Sequence, residues 1–195
     1  EIFRGLRGTC FAQAPHEAGI WVFWVRRGYA LVIVDVRGCN GSDGSGDMWG
    51  PEEQQDLADI IDWVARQSWC NGSVGMMGCS YFAMTQNLAA EQQPPSLKAI
   101  FPYDALTDIY RDCYFPGGIP HDGFTRIWFS DVTFLNFWGG RNPNTAAMSK
   151  HFETILGMKY HLDSPYYRER SAWPAGSLNR RSRRSVASSS MAVTT

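Results

Sequence analysis

Between Gly28 and Asp35 the chain reads Y-A-L-V-I-V, a continuous apolar run of strand length. Its β-branched content predicts a strand, Tyr29–Val34, buried on both faces of a parallel sheet. The W-V-F-W-V segment within Gly19–Arg27 precedes it. The basic pair Arg26–Arg27 followed by Gly28 predicts that this segment is the end of a helix. A second helix begins at Pro51. Its Leu57, Ile60, Ile61 and Val64 recur at helical spacing, with Asp56, Asp59 and Asp62 elsewhere on the wheel, read here as a solvated face. Proline suits the first helical position, and Glu52 and Glu53 suit the positive end of the helix dipole. Trp69–Gly72 then turns the chain into a short strand, Ser73–Met77. A helix-like run, Tyr81–Gln92, and one more strand, Lys98–Pro102, follow. Strands alternating with helices predict a parallel α/β sheet.

From Tyr103 the pattern loosens. Asp104–Gly118 mixes aromatic and polar residues, and His121–Trp138 is rich in Trp and Phe. These stretches predict irregular helices forming a lid or cap over the strand ends. Residues 150–170 read as helix and then polar chain. Beyond Trp173 aromatic residues stop and Arg180, Arg181, Arg183 and Arg184 stand in a Ser-rich stretch, which predicts a disordered, solvated tail. The division is therefore 1–102 as an α/β core, 103–172 as a helical cap and 173–195 as a tail.

Composition narrows the partners. The 195 residues are 44% hydrophobic, enough for one domain with a substantial core. A net charge of −1 favours neither nucleic acid nor anionic lipid. No apolar run approaches a bilayer span, and the N-terminus has no signal-peptide layout. Five scattered Cys show neither a C-x-x-C pair nor metal-ligand spacing, so no cofactor or metal is called for and a reduced, cytoplasmic protein is expected. The first residue is not Met, which suggests a fragment.

The chemistry concentrates in V-G-M-M-G-C-S-Y-F-A, Val74–Ala83. An apolar run ends at Gly78, Ser80 follows, and a helix begins at once. One reading is a nucleophile elbow, in which a tight turn lifts the serine Oγ out of the fold and the next helix aims its first N–H groups at a bound carbonyl. The other is an ordinary strand-to-helix turn. The full elbow pattern asks for a small residue two places after the serine, where Phe82 stands; Ala83 is one place later. Cys79 is a rival nucleophile, disfavoured because Met77 would then occupy a position needing a small residue. The loop Asp35–Gly44 holds three Gly at the end of the first strand, where α/β proteins bind ligands. It lacks the P-loop Lys and the G-x-G-x-x-G spacing, so phosphate binding is the weaker reading. Arg37 is expected to hold this loop through carbonyls or Asp35.

Several segments in order resemble the cocaine esterase / Xaa-Pro dipeptidyl-peptidase hydrolases, the CocE/NonD or peptidase S15-like family. They are G-Y-A-L-V-I-V-D-V-R-G with the S-D-G after it, D-W-V-A-R-Q-S-W-C-N-G-S-V-G-M-M-G-C-S-Y, L-K-A-I-F-P, and D-I-Y-R-D with its following G-G. The resemblance runs from about Gly28 to about Ser171. It accommodates Ala83, since the family's small residue falls three places after the serine, and Asn40 stands where the R-G-x-G loop usually has Gly.

The resemblance implies an α/β-hydrolase fold with a mostly parallel sheet, here incomplete, and a cap. It also implies ester or Xaa-Pro-type amide hydrolysis through an acyl-enzyme on Ser80, with the Tyr81 backbone N–H as an oxyanion donor. The family's second donor is a Tyr hydroxyl upstream of the G-Y-A strand; no Tyr precedes Tyr29 here. The triad Asp and His fall late in the family, beyond the cap, and none is identified in this chain. A truncated chain, or one shifted in frame near Ser171–Pro174, would then be impaired. Asp104–His121, Asp131–His151 and Asp131–His161 satisfy the order Ser…Asp…His, but a lone His in such a region is more often a packing residue. Trp128, Phe129, Phe134 and Trp138 are candidate pocket aromatics, with core packing the rival role. The alternatives to an enzyme on small ester or peptide substrates are a non-catalytic remnant and a small-molecule binding domain. Missing strands would leave apolar sheet surface uncovered, so the chain is expected to associate.

Overall fold

The computed structural model describes residues 21–39, 41–128, 153–154 and 164–172. The chain enters through helix α1, Trp21–Val25. Gly28 stops it at φ 86°, with its N–H donating to the Val25 carbonyl at 3.1 Å. Helix α2 spans Pro51–Ala65, with proline in the first turn beside Glu52 and Glu53 as expected. Strand β1, Val74–Cys79, leads through Ser80 into helix α3, Tyr81–Glu91, and strand β2 follows at Leu97–Tyr103. β1 and β2 pair in parallel, from Val74 opposite Leu97 to Cys79 opposite Tyr103. α3 is the crossover between them and packs on both strands, while α2 packs on α3 and β1. This strand–helix–strand unit is the α/β pattern read from the sequence.

Beyond β2 the backbone is irregular. A π-helix covers Ile109–Tyr114 and a 3₁₀ turn Pro116–Gly118, and short helices follow at Asp122–Ile127, α4, and Pro165–Arg168, α5. The core joins the two regions. Met84 and Leu88 of α3 meet Ile109, Cys113, Tyr114 and Phe115, and Tyr167 is fully buried among them. The α5 segment is tied down by polar contacts as well. Arg170 Nη2 donates to both carboxylate oxygens of Asp47, at 2.6 and 2.8 Å, and the Ile109 N–H donates to Ser171 Oγ at 2.9 Å. The expected tail, 173–195, lies outside the described residues.

Three sequence expectations are corrected. Tyr29–Val34 forms no strand; Tyr29 is 60% exposed and Ile33 50%. An apolar run becomes a buried strand only when neighbours take its ladder hydrogen bonds and layers cover both faces. Among the described residues, β1 pairs only with β2 and supplies neither. Arg37 does not bond Asp35. Its guanidinium grips Asp56 of α2, Nε to Oδ2 at 2.7 Å and Nη2 to Oδ1 at 2.5 Å, because the loop folds back over that helix. The acidic face of α2 is accordingly not wholly solvated: Asp56 is the anchor for the loop. Two glycines permit the fold-back. Gly38, at φ 76°, has no room for a Cβ, which would lie 2.6 Å from Gly46 N. Gly44, at φ 93°, lies against the Arg37 side chain, where a Cβ would come within 2.9 Å. The glycines of this loop thus serve chain crossing and close packing.

Candidate active site

Ser80 stands between the last residue of β1 and the first of α3. Its backbone is at φ 57°, ψ −121°, a conformation that side-chain-bearing residues rarely adopt. Gly78, two residues earlier, is buried at φ 146°, where only glycine is at ease. A turn this sharp needs a small residue two places before the serine, and the backbone angle of Gly78 supplies a second reason for it. The Ser80 carbonyl accepts from the N–H groups of Ala83 and Met84 at 2.9 and 3.0 Å, which starts the helix immediately. The hydroxyl does not cap that helix. The Tyr81 N–H, at the first helical position, finds no protein acceptor among the described residues. A half-buried hydroxyl beside an open helix mouth can place a nucleophile and an oxyanion donor on the same carbonyl.

The turn is braced from behind. Gln86 of α3 is fully buried and bonds both strands: its Nε2 donates to the Gly78 carbonyl at 3.3 Å, and its Oε1 accepts from the Phe101 N–H at 2.9 Å. Ala83, the small residue three places after Ser80, has no exposed surface. From the side, the Tyr81 hydroxyl donates to Glu53 Oε1 of α2. Glu53 is 5% exposed, and its other oxygen accepts the Trp49 N–H at 2.8 Å. Burial raises the Glu53 carboxyl to about 7, against the opposing pull of those two hydrogen bonds. The Tyr81 phenol is pushed well above its usual range by burial and by Glu53. Sequence reasoning assigned Glu53 only a dipole role. Its place on the wheel, one turn before Leu57 and two before Ile61, was the available signal that it faces inward.

Trp128 is half-buried and stacks on Trp49 at 5.8 Å, with its ring also 6.5 Å from Tyr81. It packs against the core beside the turn, and the other candidate pocket residues, Phe129, Phe134 and Trp138, lie outside the described residues. Asp104, at φ 56°, directly follows β2, one place beyond the Cys79–Tyr103 pairing. The His121 ring stacks on Phe124 at 5.7 Å, and its backbone N–H donates to the Tyr114 carbonyl. The two are not joined by a hydrogen bond or ion pair among the described residues. Asp131, His151 and His161 lie outside them. Burial pushes the thiols of Cys39 and Cys113 up to about 12, which makes both poor nucleophiles. Among the described residues no three His, Cys, Asp or Glu side chains gather as a metal site, and no helix is long and apolar enough to cross a membrane.

A serine held at strained angles on the strand-to-helix turn of a parallel β-α-β unit is the nucleophile-elbow arrangement of α/β-hydrolases. The chain belongs to the S15 family: the family model described as X-Pro dipeptidyl-peptidase matches residues 6–191. It is 44% identical over 101 residues to the cocaine esterase of a Rhodococcus species, a match covering 50% of this chain and 17% of that protein. A Mycobacterium bovis protein whose name proposes a serine esterase is 43% identical over 106 residues, 54% of this chain and 17% of its own. The crystal structure of a CocE/NonD family hydrolase from Staphylococcus aureus superposes with a TM-score of 0.71 at 35% identity, over 81% of this chain and 27% of that one. The chain thus spans 17% of the length of each of these two relatives.

Proposed function

We propose that Ser80 is the nucleophile of a serine hydrolase acting on small ester or Xaa-Pro-type amide substrates. The observation that carries this reading is the backbone of Ser80, held at φ 57°, ψ −121° between β1 and α3. In the proposed step Ser80 Oγ attacks the substrate carbonyl carbon while its proton passes to a general base. The carbonyl oxygen becomes an oxyanion facing the Tyr81 N–H. Collapse expels the alcohol or amine, which takes up a proton, and leaves an acyl group on Ser80 for water to remove. The family description and the name of the cocaine esterase relative favour ester and Xaa-Pro chemistry over other acyl transfers. Residues 103–172 are proposed as a cap whose aromatic side chains, Trp128 among them, border the substrate.

A second reading, in which the chain keeps the turn and lacks turnover, takes its support from Asp104 and His121 sharing no hydrogen bond or ion pair among the described residues. A hydroxyl without a base is a weak nucleophile. A fluorophosphonate probe separates the two, since it reacts with an activated serine. The hydrolase reading expects labelling of the folded chain that disappears in Ser80→Ala. A folded sample that takes no label supports the non-catalytic reading.

A further inference from the structure

We propose that Glu53 is a positioning residue for the Tyr81 N–H, holding the first residue of α3 against helix α2; this rests on the role proposed above for Ser80. The carboxyl sits at a junction of three segments. One oxygen takes the Tyr81 hydroxyl and the other takes the Trp49 N–H at 2.8 Å. Trp49 is itself buried at φ 56°, and its carbonyl accepts from Gln54 Nε2 at 2.8 Å. Its indole lies 5.6 Å from the Tyr81 ring, so Tyr81 is gripped at both its ring and its hydroxyl. The Tyr81 side chain is anchored to a second helix through a single carboxyl, and the peptide linking Ser80 to Tyr81 inherits that anchor. An oxyanion donor contributes only when its N–H is already aimed at the place where charge develops. Glu53 touches neither substrate nor serine and acts through Tyr81.

The charged and titratable groups around this carboxyl are Tyr81 from α3, Cys39 and Asp47 from the preceding loop, and Asp56 on its own helix, with Tyr114 of the π-helix behind Tyr81. Cys39 and Tyr81 ionise far above neutrality. Glu53 is therefore the member of the buried cluster placed to change charge near pH 7.

The test compares the full-length wild-type chain with E53Q, Y81F, the double variant, and D62N as a control elsewhere on α2. Glutamine keeps the shape but can accept only one of the two donors. Fluorophosphonate inactivation gives kinact, KI and the fraction of chain labelled. The expected result is a roughly tenfold fall in kinact for E53Q, with KI and the labelled fraction unchanged. The double variant is expected to be no slower than the slower single variant, because both act through one contact. A loss of folding alone would lower the labelled fraction and leave kinact unmoved. E53Q inactivating as fast as wild type overturns the proposal. A second measurement does not need a reactive serine. The Tyr81 amide resonance is expected to titrate with a midpoint near that of Glu53 in wild type and to stay flat in E53Q. If wild type takes no label, the hydrolase reading falls and this titration alone decides: a midpoint absent in E53Q upholds the anchor, and a flat wild-type trace overturns it.

Discussion

Gly78 and Glu53 hold the turn by opposite means, one by lacking a side chain and the other by burying one. Gly78 at φ 146° occupies backbone space that a Cβ makes costly. Gly78→Ala is expected to lower unfolding stability by roughly 1–3 kcal/mol, read from urea titrations with an unchanged m-value. Glu53 carries a pH signature. Its carboxyl rises from 4.5 to about 7 on folding, so between these values the native state binds a proton the unfolded chain has lost. Stability from this group is fully present below about pH 4.5 and is lost as pH rises through about 7. The loss amounts to an order of a few kcal/mol, and E53Q is expected to flatten that segment of the stability–pH curve. Ser80 and Gly78 were legible because their spacing belongs to the turn itself. Glu53 was not, because a carboxylate in a helix's first turn has a sufficient local explanation in the dipole. Only the tertiary partners Tyr81 and Trp49 reveal its second task.

Elements here are joined by a few buried polar side chains as much as by apolar contact. Gln86 is the clearest case, bonding β1 at Gly78 and β2 at Phe101 from within α3. Gln86→Leu keeps the volume and strands the Phe101 N–H. It is expected to cost roughly 1–3 kcal/mol in chemical denaturation and to raise amide exchange at Phe101 first. The Asp47–Arg170 pair does the same for α5, with the Arg170 side chain only 6% exposed. Asp47→Ala removes the nearer counter-charge of that buried guanidinium and leaves it the more distant, exposed Glu169 carboxylate at 3.8 Å. A loss of roughly 3 kcal/mol is expected in the same assay, with Ser171 and Tyr167 becoming accessible to limited proteolysis. Helices α2 and α3 and strands β1 and β2 were legible within a residue or two, since periodicity and the Pro51 and Gly72 punctuation mark their ends. Arg37 was misread because sequence proximity favours Asp35, whereas the glycine-permitted fold-back brings Asp56 closer. Nothing local could have announced the long-range partners of Gln86 or Arg170.

The whole molecule carries an imbalance between apolar surface and cover. β2 presents Phe101 at 67% exposure, with its ring 5.6 Å from that of Tyr103. The Tyr29–Val34 run exposes Tyr29, Val32, Ile33 and Val34 without joining the sheet. Its composition is that of an interior strand, and it reads correctly as one only if partners lie beside it. Sequence pattern encodes what a segment is suited to bury against, and the described residues of this chain do not supply that surface. Exposed strand edges and contiguous aromatic area promote pairing between chains. The chain is therefore expected to self-associate at micromolar concentration, seen as a concentration-dependent mass in light scattering. Phe101→Lys with Ile33→Lys should shift it toward monomer. Both positions are exposed, so the substitutions should leave the melting of the α2–α3–sheet unit nearly unchanged, within about 0.5 kcal/mol. A double variant that associates as strongly as wild type would place the adhesive surface elsewhere. A variant that unfolds instead would mean that these side chains already support the fold that exposes them.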